Sequence, residues 1–506
     1  MKRIRSIGVT SRWSRNCHCN SMSTPARISD MSDANVPTVT MKALLEQRQP
    51  QLPAQLQCGE HQCEVRSLLR FFPGRRGVYR ARLDGGEEVI LKLYTRQPRA
   101  RRELHDEAAV LRALKARGVA APAIVARLEQ GEEHGLVIED LGQTSASAVL
   151  ASLADADVAK LVNGLVAFTG QMHAAGALQE DIHLDNFVLH EGSWYVIDAG
   201  GVKLAERFSK TARLQNLALL LAQFPPLTLP SPEQIVAAYQ QGVTVPELVA
   251  IVRQAREKRL KRLVKKSLRD CTEFATLERH GLNGMARRAD APMVEAMLDT
   301  GLDALLDSSE LLKDGNSATV GRVRFQGETL VIKRYNVKSA IKRIGRQFRS
   351  RARNSWMNAA YLGLVNVATP QAVCYLSSRK GGLKDREYLV CRNVSGEMLP
   401  EMCEQGGETR LSALRQMADF FVTMALMRFS HGDSKYTNFI FQEGGLQVLD
   451  LDGMVRHPGA SLEADLAGQR QRLFRSWKPR EALAPAAEEC FLGFYHERKA
   501  TVESWL

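Results

Sequence analysis

Two stretches of the chain show the same succession of helix-period and strand-period positions. "VAKLVNGLVAFTGQMHAAG" (158–176) and "LSALRQMADFFVTMALMRF" (411–429) repeat apolar residues every three to four positions, which predicts buried amphipathic helices. Each is followed by a polar loop, "DIHLDNF" (181–187) or "HGDSKYTNF" (431–439). Each loop then leads into two short apolar runs joined by a Glu-Gly turn, "NFVLHEGSWYVID" and "NFIFQEGGLQVLD", a β-hairpin signal. Asn186 to Asp198 and Asn438 to Asp450 both span twelve residues. The offset of about 250 residues is far longer than a solenoid repeat and predicts a tandem domain.

The region ahead of each helix also repeats. "GRRGVYRARLDGGEEVILKLYTR" (74–96) predicts a strand, an Asp-Gly-Gly hairpin and a second strand carrying Lys92. "RRELHDEAAVLRALKARG" (101–118) follows as a helix, with Glu103, Glu107 and Leu111 at four-residue spacing and Gly118 as its stop. In the second half, "LKDGNSATVGRVRFQGETLVIKRYN" (312–336) predicts the same hairpin with Lys333, and "RARNSWMNAAYLGLV" (351–365) the following helix. Between the halves, "IVRQAREKRLKRLVKKSLRD" (251–270) reads as a Lys/Arg-dense helix at a domain boundary. The division expected is a disordered tail over 1–41, one domain over 42–270 and another over 271–506.

Charge narrows the partners. The 506 residues carry 69 Lys and Arg against 56 Asp and Glu, a formal charge of +13, which favours an anionic partner or surface. The runs 253–269 and 338–353 are the candidates for that surface. Aromatic residues make up only 6% and no stacking motif interleaves the basic runs, which argues against nucleic acid. The nine cysteines form no CxxC pair, and Cys17-His18-Cys19 and Cys58, His61, Cys63 have no matching second half for a metal site. No run reaches the roughly 18 apolar residues of a membrane span. The first residues have no apolar core of a secretory signal.

A strand Lys, a helix Glu, a loop Asp followed at the fifth position by Asn, and a later Asp after a strand form the constellation that phosphoryl transfer from ATP needs. Both halves therefore resemble the protein-kinase-like fold. The fold class expected is α+β, as two tandem bilobal protein-kinase-like domains, each with a nucleotide cleft bringing Lys92 to Asp198 and Lys333 to Asp450. The resemblance implies ATP and Mg²⁺ as cofactors. Lys92, partnered by Glu107, and Lys333 would hold the nucleotide phosphates. Asp181 and Asp433 would be the catalytic bases, and Asn186, Asp198, Asn438 and Asp450 the metal ligands.

Each half departs from the pattern. "QED" puts Gln179 where kinases have a structural His, and Asn358 stands where the second half should have its helix Glu, leaving Lys333 without an ionic partner but within reach of a hydrogen-bond acceptor. Neither half has a Phe after the late Asp or an Ala-Pro-Glu segment downstream, which favours a small-molecule or glycan kinase over a protein kinase. In the second half "LVIKRYN", "SRARNSWMNA", Ala368-Thr369-Pro370, "HGDSKYTNF" and "DLAGQRQRLFRSW" resemble the lipopolysaccharide kinase (Kdo/WaaP) family; "EAAVLRALKARGVAAPAIV" and "LVIEDL" in the first half do so less specifically. That likeness implies phosphorylation of a heptose or Kdo hydroxyl of the lipopolysaccharide inner core. The partner would be the core or a lipid-linked sugar, met by a cytoplasmic protein in peripheral contact with the inner membrane. The intact "HGD" loop favours Asp433 as the working base, with Asp181 as a second active base. Two alternatives stay open: one half is a pseudokinase scaffold for the other, or the enzyme acts on another small hydroxyl substrate, as aminoglycoside and choline kinases do.

Overall fold

A computed structural model describes residues 36–506 except 59–60, 96, 131–132, 337–349, 381–382, 444, 458–460 and 479. Most of the basic run 338–353, and the tail through residue 35, lie outside the described residues. The chain divides into two compact units, the first comprising 36–223 with 232–252 and the second 224–231 with 253–506.

The first unit opens with β1 (Thr38–Val39), α1 (Met41–Glu46), β2 (Ala54–Cys58), β3 (His61–Phe72), β4 (Arg76–Leu83) and β5 (Glu88–Tyr94). Then come α2 (Pro98–Ala116), β6 (Ile124–Gln130) and β7 (Glu133–Glu139), and the seven strands form one sheet in the order β1-β2-β3-β4-β5-β7-β6. The turn between β4 and β5 falls at Asp84-Gly85-Gly86, where Gly86 takes φ +86° and donates to the Leu83 carbonyl at 2.8 Å. Ordered structure starts ahead of residue 42: Thr40 caps α1 through its side chain, and Met41 is fully buried with Leu44 against Leu56, Tyr79 and Leu91. Helix α1 is held there because the Tyr79 hydroxyl, buried on the sheet face, donates to the Leu44 carbonyl at 2.5 Å. A buried hydroxyl without that acceptor would carry an uncompensated desolvation cost.

The rest of the first unit is mainly helical: α3 (Ala146–Ser152), α4 (Asp155–Ala174), α5 (Lys210–Leu221) and α6 (Pro232–Tyr239). Four short strands accompany them: β8 (Ala177–Gln179), β9 (Phe187–His190), β10 (Ser193–Val196) and β11 (Val202–Leu204). β9 and β10 form the hairpin expected from the Glu-Gly turn, and β11 pairs with β8 on either side of the polar loop. Helix α7 (Val245–Ser267) is continuous for 23 residues. Leu248, Val252, Ala255 and Leu260 are buried on one side of it, while Arg253, Lys258, Lys261, Arg262 and Lys265 are exposed. The dense basic run is therefore the solvated face of a packed helix, whose residues from Arg253 onward group with the second unit.

The second unit's sheet uses β12 (Phe274–Arg279), β13 (Leu282–Arg287), β14 (Glu310–Asp314), β15 (Ala318–Phe325), β16 (Glu328–Tyr335), β17 (Ala372–Lys380) and β18 (Leu383–Arg392), in the order β12-β13-β17-β18-β16-β15-β14. Its five strands β14-β15-β16-β18-β17 follow the same order as β3-β4-β5-β7-β6; the extra pair is added on the opposite edge. Helices α8 (Ala291–Thr300) and α9 (Leu302–Asp307) bury Val294, Met297, Leu302 and Leu306 against Val323, Leu330 and Ile332. The helix α10 (Arg351–Leu364) follows β16.

Helices α11 (Leu399–Gln405), α12 (Gly407–Met427), α13 (Ser461–Arg475) and α14 (Ala484–Thr501) make the second unit's helical part. Its core is aromatic, with Phe420, Phe421, Phe439, Phe491 and Tyr495 all nearly or fully buried. The segment 224–231 belongs to this unit, and Trp505 holds it by donating from Nε1 to the Pro230 carbonyl at 3.0 Å. Trp505→Ala is expected to cost about 3–5 kcal/mol, and Trp505→Phe, which keeps most of the apolar ring, about 1–2 kcal/mol. Denaturant midpoints of the full chain check this; a wild-type midpoint for both variants would show that the indole hydrogen bond and packing do not anchor the segment.

Candidate nucleotide and metal site

Lys92 lies on β5 with only 8% of its surface exposed, and Glu107 on α2 with 1%. A buried ammonium is strongly destabilising without a carboxylate in reach, and Lys92 Nζ ion-pairs with Glu107 Oε1. The Tyr94 hydroxyl, two residues along the strand on the same face, donates to Glu107 Oε2 at 2.5 Å, and Arg76 Nη1 stands 3.9 Å from that oxygen. Burial works against the Glu107 charge, but Lys92, Tyr94 and Arg76 outweigh it and hold its pKa below the ordinary glutamate value. Glu103, one turn earlier, faces outward to Arg75 at 2.7 Å and Arg99 at 3.4 Å. Of the two acids at four-residue spacing, the structure gives Glu107 to the lysine.

The late Asp sits beside this pair. Asp198 takes the left-handed conformation, φ 58° and ψ 57°, at the end of the β9–β10 hairpin. A Cβ built on the neighbouring Gly200 would be 3.9 Å from Asp198 Oδ1 and 4.0 Å from Glu107 Oε2, so both carboxylates face one small space. Asn186 donates from Nδ2 to the Asp181 carbonyl at 2.7 Å. That bond fixes the amide so that Oδ1 is the end left for another partner. Asp181 itself is exposed.

The polar loop is tied to the hairpin from beneath. Gln179 is 1% exposed and donates from Nε2 to the Asp198 carbonyl at 3.3 Å and the Ile197 carbonyl at 3.5 Å. In the second unit His431 donates to the Leu449 carbonyl at 2.8 Å, again the residue immediately before the late Asp. Gln179 therefore occupies the structural role of the histidine. The imidazole also accepts from the Asp433 amide at 3.4 Å, whereas Gln179 Oε1 has no hydrogen-bond partner among the described residues. Burial lowers the His431 pKa, which favours the neutral ring with its one donor and one acceptor.

Loop support differs in a way that local motifs did not reveal. In the first unit Asn216 on α5 donates to the Gln179 carbonyl at 2.7 Å and is itself bonded to His173 at 3.0 Å. In the second, Gln469 on α13 accepts from the amides of His431 (3.1 Å) and Gly432 (3.2 Å) and from the Ser434 hydroxyl (2.8 Å). Gly432 is required there: φ is +84°, and a Cβ would lie 2.3 Å from the Gly453 carbonyl oxygen.

The second unit assembles its charges differently. Asn358 does not bond Lys333; it is buried and donates from Nδ2 to the Leu451 carbonyl at 2.8 Å. Without a helix acid, Lys333 ion-pairs directly with Asp450 and stands 3.5 Å from Asp452. Lys333 is thus not left without an ionic partner. Arg351 Nη2 reaches Asp452 at 2.6 Å. Burial opposes the Asp450 charge, yet Lys333 beside it, with Arg351, lowers its pKa. Asp433 is bridged by Arg472 at 2.9 Å and Lys435 at 3.3 Å. Asn438 repeats the bond of Asn186, donating to the Asp433 carbonyl at 2.7 Å. Arg351, Asp452, Gln469 and Arg472 were not singled out by sequence, although Gln469 and Arg472 fall within "DLAGQRQRLFRSW".

The donor sets suit a hard dication. Asn186 with Asp198, and Asn438 with Asp450, each offer an amide oxygen and a carboxylate, the one or two protein ligands Mg²⁺ takes when phosphate oxygens and water complete its shell. Among the described residues no group of three or more His, Cys, Asp or Glu forms an all-protein metal site.

Residues 69–236 match the profile of the phosphotransferase enzyme family, APH. Among solved structures the chain is similar to the BubR1 kinase domain, with 19% identity and a TM-score of 0.27 over 31% of this chain and 52% of that one. It is also similar to WaaP in complex with acyl carrier protein, with 21% identity and a TM-score of 0.30 over 38% of this chain and 88% of that one. The chain thus spans about half the length of the BubR1 kinase chain. No curated protein sequence matches it. The fold is α+β and kinase-like, and the family match covers every one of Lys92, Glu107, Asp181, Asn186 and Asp198.

Glu107→Gln leaves Lys92 buried without a carboxylate and is expected to cost about 3–5 kcal/mol at neutral pH, against about 1 kcal/mol or less for Glu103→Gln. Because the pair depresses the folded-state pKa of Glu107, its contribution is complete at neutral pH and is lost as pH falls through that lowered value. Denaturant midpoints should therefore show the wild-type advantage over Glu107→Gln narrowing only in acid. A gap independent of pH, or a larger loss at Glu103, would refute the pairing.

Proposed function

We propose that this protein is an ATP- and Mg²⁺-dependent phosphotransferase with an alcohol acceptor, and that the first unit does the chemistry. The observation that carries this reading is the buried Lys92–Glu107 pair set beside Asp198. Lys92 is held in place by a carboxylate that belongs to the scaffold, so Asp198 remains available on the cleft side. In the second unit the corresponding lysine is spent on the late Asp itself, and the loop Asp is bridged by two cations. A metal at Asp450 has to compete with Lys333, and a hydroxyl at Asp433 with Arg472 and Lys435.

In this reading Lys92 orients the nucleotide phosphates and Glu107 orients Lys92. Asp181 accepts the acceptor hydroxyl's proton as the oxygen attacks the γ-phosphorus and the bond from that phosphorus to the bridging oxygen breaks, releasing ADP. Asn186 Oδ1 and the Asp198 carboxylate would hold Mg²⁺, which when bound supplies charge neutralisation at the transferring phosphoryl group. Gln179 and Asn216 keep the loop in register with the hairpin. The second unit acts as a kinase-like support, and its tied-up charges favour that role over a second catalytic centre.

For the acceptor we propose a heptose or Kdo hydroxyl of the lipopolysaccharide inner core, met at the cytoplasmic face of the inner membrane. Its support is the set of second-half motifs, "HGDSKYTNF" and "DLAGQRQRLFRSW" foremost, together with the +13 charge suited to an anionic glycolipid. No helix among the described residues is long and apolar enough to cross a membrane.

A positioned base contributes about 10²–10⁴-fold, so Asp181→Asn should lower phosphoryl transfer by that factor while the protein stays folded. Asp433→Asn should change turnover by no more than a few-fold. The assay is transfer from ATP to isolated core oligosaccharide, and mass analysis of core from cells lacking the gene should show one phosphate missing. A silent Asp181→Asn with an inactive Asp433→Asn would exchange the roles of the units, and an unchanged core mass would remove lipopolysaccharide as the substrate.

A further inference from the structure

An open cleft of about 510 Å³ in the first unit is lined by Arg207, Phe208, Ser209, Lys210, Arg213, Gln241 and Gly242. None of these is among the residues assigned above to nucleotide, metal or acceptor proton. Three of the seven are cations, and the cleft opens at the N-terminal end of the twelve-residue helix α5. Ser209 caps that end by accepting from the Ala212 amide at 3.2 Å, which leaves the positive end of the helix facing the cleft.

Arg213 is the residue that calls for explanation. It is 91% buried by its exposure of 9%, yet among the described residues no carboxylate pairs with it. Its Nη1 donates to the neutral Gln241 Oε1 at 3.0 Å, and its Nε has no hydrogen-bond partner among the described residues. Buried guanidinium groups ordinarily have a counter-charge, because desolvation without one is costly. The field of this uncompensated charge is felt nearby. Burial lowers the His173 pKa to about 4, and Arg213 pushes in the same direction. Lys210 does have a carboxylate, Glu247, at 2.6 and 2.9 Å, but Arg207 is exposed and has none among the described residues. The local balance is therefore three cations against one anion.

We propose that this cleft is a binding site for a phosphate monoester, held by Arg213 from the cleft wall, Arg207 from its rim and the first turn of α5. Two guanidinium groups at a helix N-terminus match the two charges and three acceptor oxygens of such a group. The site is independent of which base transfers phosphate. Arg213 is, however, only three residues from Asn216, which bonds the loop at Gln179, so an anchored phosphate lies one helical turn from the support of the polar loop.

The ligand can come from a soluble phosphorylated molecule or from a phosphomonoester lipid headgroup, and two probes separate them. Inorganic phosphate is titrated calorimetrically into the full chain, and vesicles with and without phosphatidic acid are tested by co-sedimentation. Arg207→Glu, an exposed change with little effect on folding, should weaken the responding probe by at least about tenfold, since charge-assisted contacts are the strong ones. Arg213→Met should do the same if it folds, and Asp198→Asn should leave the binding unchanged. Free phosphate responding in this way assigns a soluble source, and phosphatidic acid alone responding assigns a headgroup. Binding of neither probe, or binding that Arg207→Glu leaves unaltered, overturns the proposal.

Discussion

An ammonium group buried in the middle of a strand has to find a carboxylate, and where it finds one sets the character of each unit. Lys92 and Glu107 are both almost completely inside the protein. Removing either would leave the other as an uncompensated charge in a poorly solvated place. The pair therefore clamps α2 against β5, and Tyr94 and Arg76 converge on the same carboxylate. The pair thus joins α2 to β5 at the point where Asp198 also faces the shared space.

In the second unit the same constraint has another solution. Asn358 cannot neutralise an ammonium, and it turns its amide to the Leu451 carbonyl. Lys333 draws on Asp450 and Asp452, and Arg351 compensates the second of these. The result is a near-neutral cluster made largely from the groups that a metal and a nucleotide would use. One residue's change from acid to amide thus redistributes four charges, while the five-strand order and the loop–hairpin geometry are retained.

The loop beneath each candidate base obeys a backbone requirement. The carbonyl preceding the late Asp takes a side-chain donor in both units, just ahead of a residue in the left-handed conformation. His431 donates with its ring and Gln179 with its amide, which leaves Oε1 without a partner among the described residues. Glutamine in place of histidine is consequently a change of donor and leaves the loop's role intact. The surrounding support has diverged further, to Asn216 in one unit and Gln469 in the other.

Local pattern was enough to reveal the hairpins, the Lys-bearing strands and the helix of Glu103 and Glu107, because periodicity and turn chemistry act over neighbouring residues. The kinase-like α+β class was legible for the same reason. Ordered structure beginning before residue 42 was hidden, since Met41 looks like part of a polar tail until Tyr79 is seen to hold α1. The basic helix read as a charged boundary element, because charge density masks the buried side formed by Leu248, Val252, Ala255 and Leu260. Other features belong to tertiary structure alone. Lys333 on Asp450, Arg472 on Asp433, and the lone charge of Arg213 each join residues far apart in the chain, or depend on burial that spacing does not record. By itself the sequence determined which chemical groups are present and the order of the elements that carry them. Folding decided which cation meets which carboxylate, because the cost of burying a charge depends on everything packed around it.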